Sequence, residues 1–193
     1  MKSTNPKFQL TCGVLAILGI TLLQPATAAG AKHVHGQGSL LVAQDADRWQ
    51  LEFSLPASDV IGFEHAPHSK ADRSRLHAVE RQLVLPSSVF VVDNDNCEVT
   101  DQTVSLPHSS KKQHDEHEDD HDDEHDDHHG DHDESTHSEV TLRYELLCSE
   151  PLQTIKVTIF DIAPSLTDID VQWVTNKGQG KREITPMQQE IVW

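Results

Sequence analysis

Trp49–Leu55 reads WQLEFSL, with Trp49, Leu51, Phe53 and Leu55 alternating against Gln50, Glu52 and Ser54. A period of two puts the apolar set on one face of a strand. The preceding His33–Val42 stretch (HVHGQGSLLV) is separated from it by the polar Gln44-Asp45-Ala46-Asp47. Together they predict a β-hairpin with one buried face, ended by Pro56.

The same signature returns downstream. Val140–Leu147 (VTLRYELL) and Ile155–Phe160 (IKVTIF) alternate and are rich in β-branched residues, and a turn at Glu150-Pro151 joins them. Ile169–Val174 (IDVQWV) reads as another strand, followed by a polar turn at Asn176–Gly180 and a final Ile184–Trp193 segment. Val89–Val92 (VFVV) reads as a short buried strand and Val99–Leu106 as a weaker one. One helix is expected. Ser69 and Asp72 have capping-box spacing, and Leu76, Val79 and Leu83 follow at helical intervals before Pro86. Many strands and one main helix define an α+β class, with a mainly antiparallel sheet or sandwich covered by that helix.

Between two of these strands lies His114–Glu134, HDEHEDDHDDEHDDHHGDHDE. Its 21 residues are seven histidines, thirteen carboxylates and Gly130. His114, His117, His121, His125, His128 and His132 are spaced three or four apart, so a helix would carry them within an arc of roughly 80°; His129 is the seventh. Pairs at i,i+4 suit chelation of one ion. Imidazole is a borderline ligand for Zn2+, Cu2+ and Ni2+, and the carboxylates raise the local cation concentration. An acidic solvating linker is the plainer alternative, but solubility requires no histidines. There is no DxDxDG loop for calcium. Thirteen repelling charges predict a long flexible His/Asp-rich loop over residues 108–138, disordered without metal.

The chain starts like an exported protein. Lys2 and Lys7 precede an uncharged apolar stretch, Leu10–Leu23, and the small residues Ala26–Ala29 follow. Residues 1–29 are therefore read as a cleaved secretory signal peptide, and 30–193 as a single metal-binding domain. Without another long apolar run, stable membrane insertion of the mature chain is not expected. Cys12 leaves with the signal, and Cys97 and Cys148 remain as an even pair in an oxidising compartment, where a disulfide is the default over a two-thiolate metal site. The insert carries −13 of a whole-chain net charge of −17. Such a balance argues against nucleic-acid partners, which need clustered Lys and Arg.

The body offers further ligands. His33 and His35 share a side if the segment is extended. Glu64, His65 and His68 lie within five residues just before the helix, while His77 on the helix reads as structural. His108 and His137 flank the insert as ligands or spacers. A metallohydrolase would need three fixed ligands and a nearby base. No HExxH is present, so a non-enzyme is expected.

These features resemble the ZrgA family. The resemblance rests on the HVHG start (His33–Gly36), PASDVIGFEHAP (Pro56–Pro67), the NCEV and LLCSEP contexts of Cys97 and Cys148, and the acidic histidine loop. It covers essentially the whole mature chain. It implies a periplasmic protein of Gram-negative bacteria, expressed under zinc limitation, and makes zinc the favoured metal. The function it implies is capture of Zn2+ and support of high-affinity import, with the solute-binding component of an ABC-type zinc importer as the expected partner. A periplasmic buffer or detoxification protein for zinc, copper or nickel is the alternative, followed by a structural domain with an incidental loop.

Coordination requires neutral imidazole, so zinc uptake by the insert should fall steeply below about pH 6.5. Zinc titrations at about pH 5 and about pH 7.5 test this; equal uptake would assign binding to the carboxylates.

Overall fold

The computed structural model describes residues 34–93, 95–109 and 138–193. The signal peptide read at 1–29 and nearly all of the insert lie outside these residues. Among the described residues the fold is mainly β, with two α-helices.

The hairpin opens the fold as its alternation predicts. β1 (Gln37–Asp45) and β2 (Arg48–Pro56) pair antiparallel, Leu41 opposite Glu52 and Ala43 opposite Gln50. Ala46, at φ 55°, makes the tight connection. A short helix α1 (Ala57–Val60) follows at once, and after a loop α2 (Lys70–Leu83) begins. The α2 capping box forms as its sequence predicts. Asp72 N–H donates to Ser69 Oγ and Ser69 N–H to Asp72 Oδ2, at 3.0 and 2.9 Å. Leu76, Val79 and Leu83 are its buried face.

The remaining strands are β3 (Phe90–Val92), β4 (Cys97–Ser105), β5 (Glu139–Cys148), β6 (Thr154–Val157), β7 (Asp168–Thr175), β8 (Gly178–Ile184) and β9 (Glu190–Val192). They form a six-stranded sheet in the order β4-β5-β2-β1-β7-β8 and a three-stranded sheet in the order β3-β6-β9. All pairings are antiparallel except β1 with β7, which run parallel, Leu40 beside Val171.

Three expectations change in detail. β5 and β6 are not a hairpin. Pro151 follows β5, and the chain crosses to the second sheet, burying Leu152 on the way. The strand expected over Ile155–Phe160 stops at Val157, and Ile159–Asp161 is a turn of 3-10 helix. The stretch read as a buried strand at Val89–Val92 is a short edge strand over Phe90–Val92, with Val89 and Phe90 buried as expected and Val91, on the opposite face, 45% exposed.

One face of the large sheet makes the core. Leu40, Leu51, Phe53, Leu55, Val140, Leu142, Tyr144, Ile169 and Val171 are buried there with the α2 leucines. Tyr144 meets Phe53 and Phe90 edge-on and donates its hydroxyl to Leu83 O at 3.3 Å, and burial pushes that hydroxyl's pKa well up. Trp193 packs, half-buried, against this core. Trp193 stacks on Trp49 at 5.3 Å, its indole N–H donates to Leu152 O, and Lys177 Nζ donates to its carbonyl. Gly180 is required beside this cluster, since a Cβ there would lie 2.4 Å from the Trp173 ring.

β4 and β5 are directly paired, so the insert joins two neighbouring strands, as expected. Cys97 and Cys148 face each other at the far end of the ladder and form a disulfide, closing a 51-residue separation. In the chain-entropy account a loop of that length is worth about 4 kcal/mol. The double substitution Cys97→Ser, Cys148→Ser should lower urea stability by about that amount, and a free-thiol assay on the unreduced mature protein should find none.

Candidate metal centre

The residues between β2 and α2 form a knot of hydrogen bonds at the end of the sheet from which the insert departs. Ala57 N–H donates to Ser138 O at 2.9 Å, tying the start of α1 to the start of β5. Ile61 N–H closes α1 on Ala57 O, and Gly62 then turns the chain with φ 100°, a left-handed conformation that glycine adopts without strain. Glu64 arrives against the stems of the insert. Its carbonyl accepts from Ser138 Oγ at 3.0 Å and from His108 Nε2 at 3.3 Å. One backbone oxygen is thus held from both sides of the insert.

The second strand of this knot comes from the lead into β1. His35 was expected on a strand; it lies instead in a turn ahead of Gln37, with Gly36 at φ 83°. That turn is pinned twice. Asp59, 8% exposed, accepts from Gly36 N–H through Oδ2 at 2.6 Å, and Gly36 O accepts from Thr167 N–H and Oγ1 at 2.7 and 2.9 Å. The His35 ring therefore lands beside α1, with Nδ1 2.7 Å from Ser58 Oγ and 3.9 Å from Glu64 Oε1, an oxygen that is itself buried.

His35 and Glu64 are thus brought together from parts of the chain 29 positions apart. Two donors on one tetrahedral zinc lie about 3.3 Å apart, so this pair needs only a small adjustment to share an ion. A metal approaching the other side of the ring would instead meet Nε2, with Glu64 behind the imidazole as its carboxylate partner. Both arrangements use the same two residues.

His65 takes another direction. Its ring stacks on Phe63 at 5.1 Å and beside His68 at 5.5 Å, and Nδ1 hydrogen-bonds to Ala66 O at 2.8 Å. Asp72 is held below the usual carboxylate range, first by the Ser69 backbone N–H and hydroxyl and, to a smaller degree, by nearby His65. His77 pairs with Glu80 along α2 at 3.5 Å. Among the described residues no three His, Cys, Asp or Glu side chains converge as a metal cluster. His33 and the insert histidines His114, His117, His121, His125, His128, His129 and His132 lie outside those residues.

Sequence reasoning did not single out Ser58 or Asp59. The signal was present in PASD, where Ser58 and Asp59 follow Pro56-Ala57 at a helix start, but their contacts depend on the turn ahead of β1 lying beside α1.

A model of the family described as "ZrgA family zinc uptake protein" matches residues 32–193. The chain belongs to that family. No curated protein matches it. The match takes in every described residue, so the His35–Glu64 pair and both stems of the insert lie within it. Removing a carboxylate beside a metal-ligating histidine costs roughly 10–100-fold in affinity. Glu64→Gln should weaken the tighter zinc binding by about that factor and His35→Ala by at least as much, read by competition with a chromophoric chelator. Parent-like affinity in His35→Ala would remove the pair as a metal centre.

Proposed function

We propose that this protein captures Zn2+ in the periplasm and assists its delivery to a high-affinity ABC-type zinc importer. The observation that carries the reading is membership of a zinc uptake family across the whole described body. The composition of the insert supports it, since imidazoles among carboxylates attract and hold borderline divalent ions. So does the placement of the insert's stems, both bonded to the carbonyl of Glu64. Ions gathered by the insert would enter a body whose own donors lie at the base of that insert.

In this reading the insert supplies many equivalent histidine pairs, each weakened by the entropy of ordering the chain around the ion. His35 and Glu64, with His33 two positions before His35 in sequence, form a tighter site because the turn and α1 are already ordered. Export through the signal peptide brings the chain to the periplasm and to the solute-binding component of the importer. The Cys97–Cys148 disulfide fits an oxidising compartment. The role is binding rather than catalysis: the sequence has no HExxH, and the residues around Glu64 are spent on hydrogen bonds that hold the loop.

Deleting residues 108–137 should remove most bound zinc yet leave about one ion held more tightly, measured by calorimetric titration of the mature protein. Loss of all binding on that deletion would place every site in the insert. A strain lacking the protein should grow poorly under zinc chelation, and expression should rise with chelator. Induction by excess metal instead would favour buffering or detoxification.

A further inference from the structure

The loop that leads into α2 carries a histidine pair that the His35–Glu64 centre does not use. His65 and His68 are both exposed, with ring centroids 5.5 Å apart. Two imidazoles bound to one tetrahedral ion at about 2.0–2.1 Å per nitrogen place their ring centres about 5 Å apart. The rings are near-parallel, at 17°, so closing on one ion requires one of them to turn about its Cβ–Cγ bond. Both are exposed and can do so.

The backbone beneath them is unusually fixed for a surface loop. Arg73 Nη1 donates to Pro67 O and to His68 O at 3.3 and 3.2 Å, and Arg75 Nε donates to Ile61 O at 3.1 Å. The capping box locks the next residue, Ser69, onto the helix. Phe63 backs the His65 ring on one side. The hydrogen bond from His65 Nδ1 to Ala66 O is the contact that decides the chemistry. A carbonyl only accepts, so Nδ1 carries the proton and the lone pair lies on Nε2, which is how a metal-ligating imidazole is commonly oriented. Neighbouring Asp72 adds negative charge close to the pair.

We propose that His65 and His68 form a second metal site on the folded body, separate from His35 and Glu64, which takes one borderline divalent cation of the Zn2+ class. The inference rests on the zinc-binding reading above and extends it. Two protein nitrogens leave the remaining positions to water or to donors from another molecule. An ion so held is bound weakly and is accessible, which suits exchange with a second protein rather than retention. Two exposed histidines cannot form a closed structural site, and that is the difference in role between this pair and the centre at the base of the insert.

Residue-resolved labelling with diethylpyrocarbonate tests this on the intact mature chain. Zinc should slow modification of His65 and His68 together, with one midpoint. Substituting either residue by alanine should abolish protection of the other, whereas His35→Ala should leave both protected. Both side chains are exposed, so circular dichroism and the thermal midpoint should stay at parent values and keep the comparison valid. Protection of the insert histidines or of His35 without protection of His65 and His68 overturns this site and leaves zinc binding by the chain intact. Protection of one that survives loss of the other, or that is lost in His35→Ala, overturns the separate two-histidine site. No protection at any histidine at saturating zinc overturns both this site and the zinc-binding reading.

Discussion

The pairing of β4 with β5 is the constraint on which the rest of this structure depends. These strands receive the two ends of a segment carrying thirteen carboxylates. Left unanchored, charge of that density would work against any compact state near it. The ladder runs from Ser105 opposite Thr141 to Cys97 opposite Cys148, where the disulfide closes it. β5 then pairs with β2 over its whole length, from Pro56 opposite Glu139 to Arg48 opposite Leu147. The stems of the insert are therefore fastened to a strand that is itself paired on both sides within the sheet.

That same end is where the candidate metal residues gather, and the reason is topological. The hairpin returns the chain to its starting end at Pro56, α1 begins there, and parallel pairing with β7 holds the lead into β1 beside it. Glu64 thus has only a few residues in which to reach the stems, and the left-handed Gly62 makes the reversal. Both approaches end at His35 and Glu64. Asp59 contributes to this without being a candidate ligand: it accepts from the backbone of Gly36 and, together with the His35–Ser58 contact, holds the turn that carries His35 beside α1.

Local chemistry was legible in the sequence; pairing was not. The alternation in Trp49–Leu55 and Val140–Leu147, and the Ser69–Asp72 capping box, depend on residues within a few positions of one another, and the strands and cap form where they predict. The parallel contact of β1 with β7 joins segments more than a hundred residues apart, and no periodicity records it. The crossing of the chain after Pro151 into a second sheet is hidden for the same reason. β5 and β6 both alternate, so adjacency in sequence made a hairpin the natural expectation. The site behaves likewise. Glu64 and His65 stand out as neighbours in GFEHAP, yet their side chains diverge, one toward His35 and the other toward Phe63 and His68. Two adjacent residues outside regular structure need not serve one centre, and only the tertiary fold assigns them.

What sets the ease of metal release in such a body is how little of its stability depends on metal. A closed set of four ligands makes coordination part of folding, so the ion leaves only as the domain loosens. Here the core is held by two sheets, the ring contacts of Tyr144, the Trp49–Trp193 stack and a disulfide, none of which involves a candidate ligand. The histidines sit outside the ladders, His35 in the turn before β1 and His65 and His68 in the loop before α2. Their positions are set by second partners: Asp59 on the backbone of Gly36, and Arg73 on the carbonyls of Pro67 and His68. Fixing the backbone from outside the ligand set lowers the ordering cost of binding without adding donors. On the proposed reading, affinity can then be high enough to collect an ion, while open coordination positions would still allow another molecule to take it away.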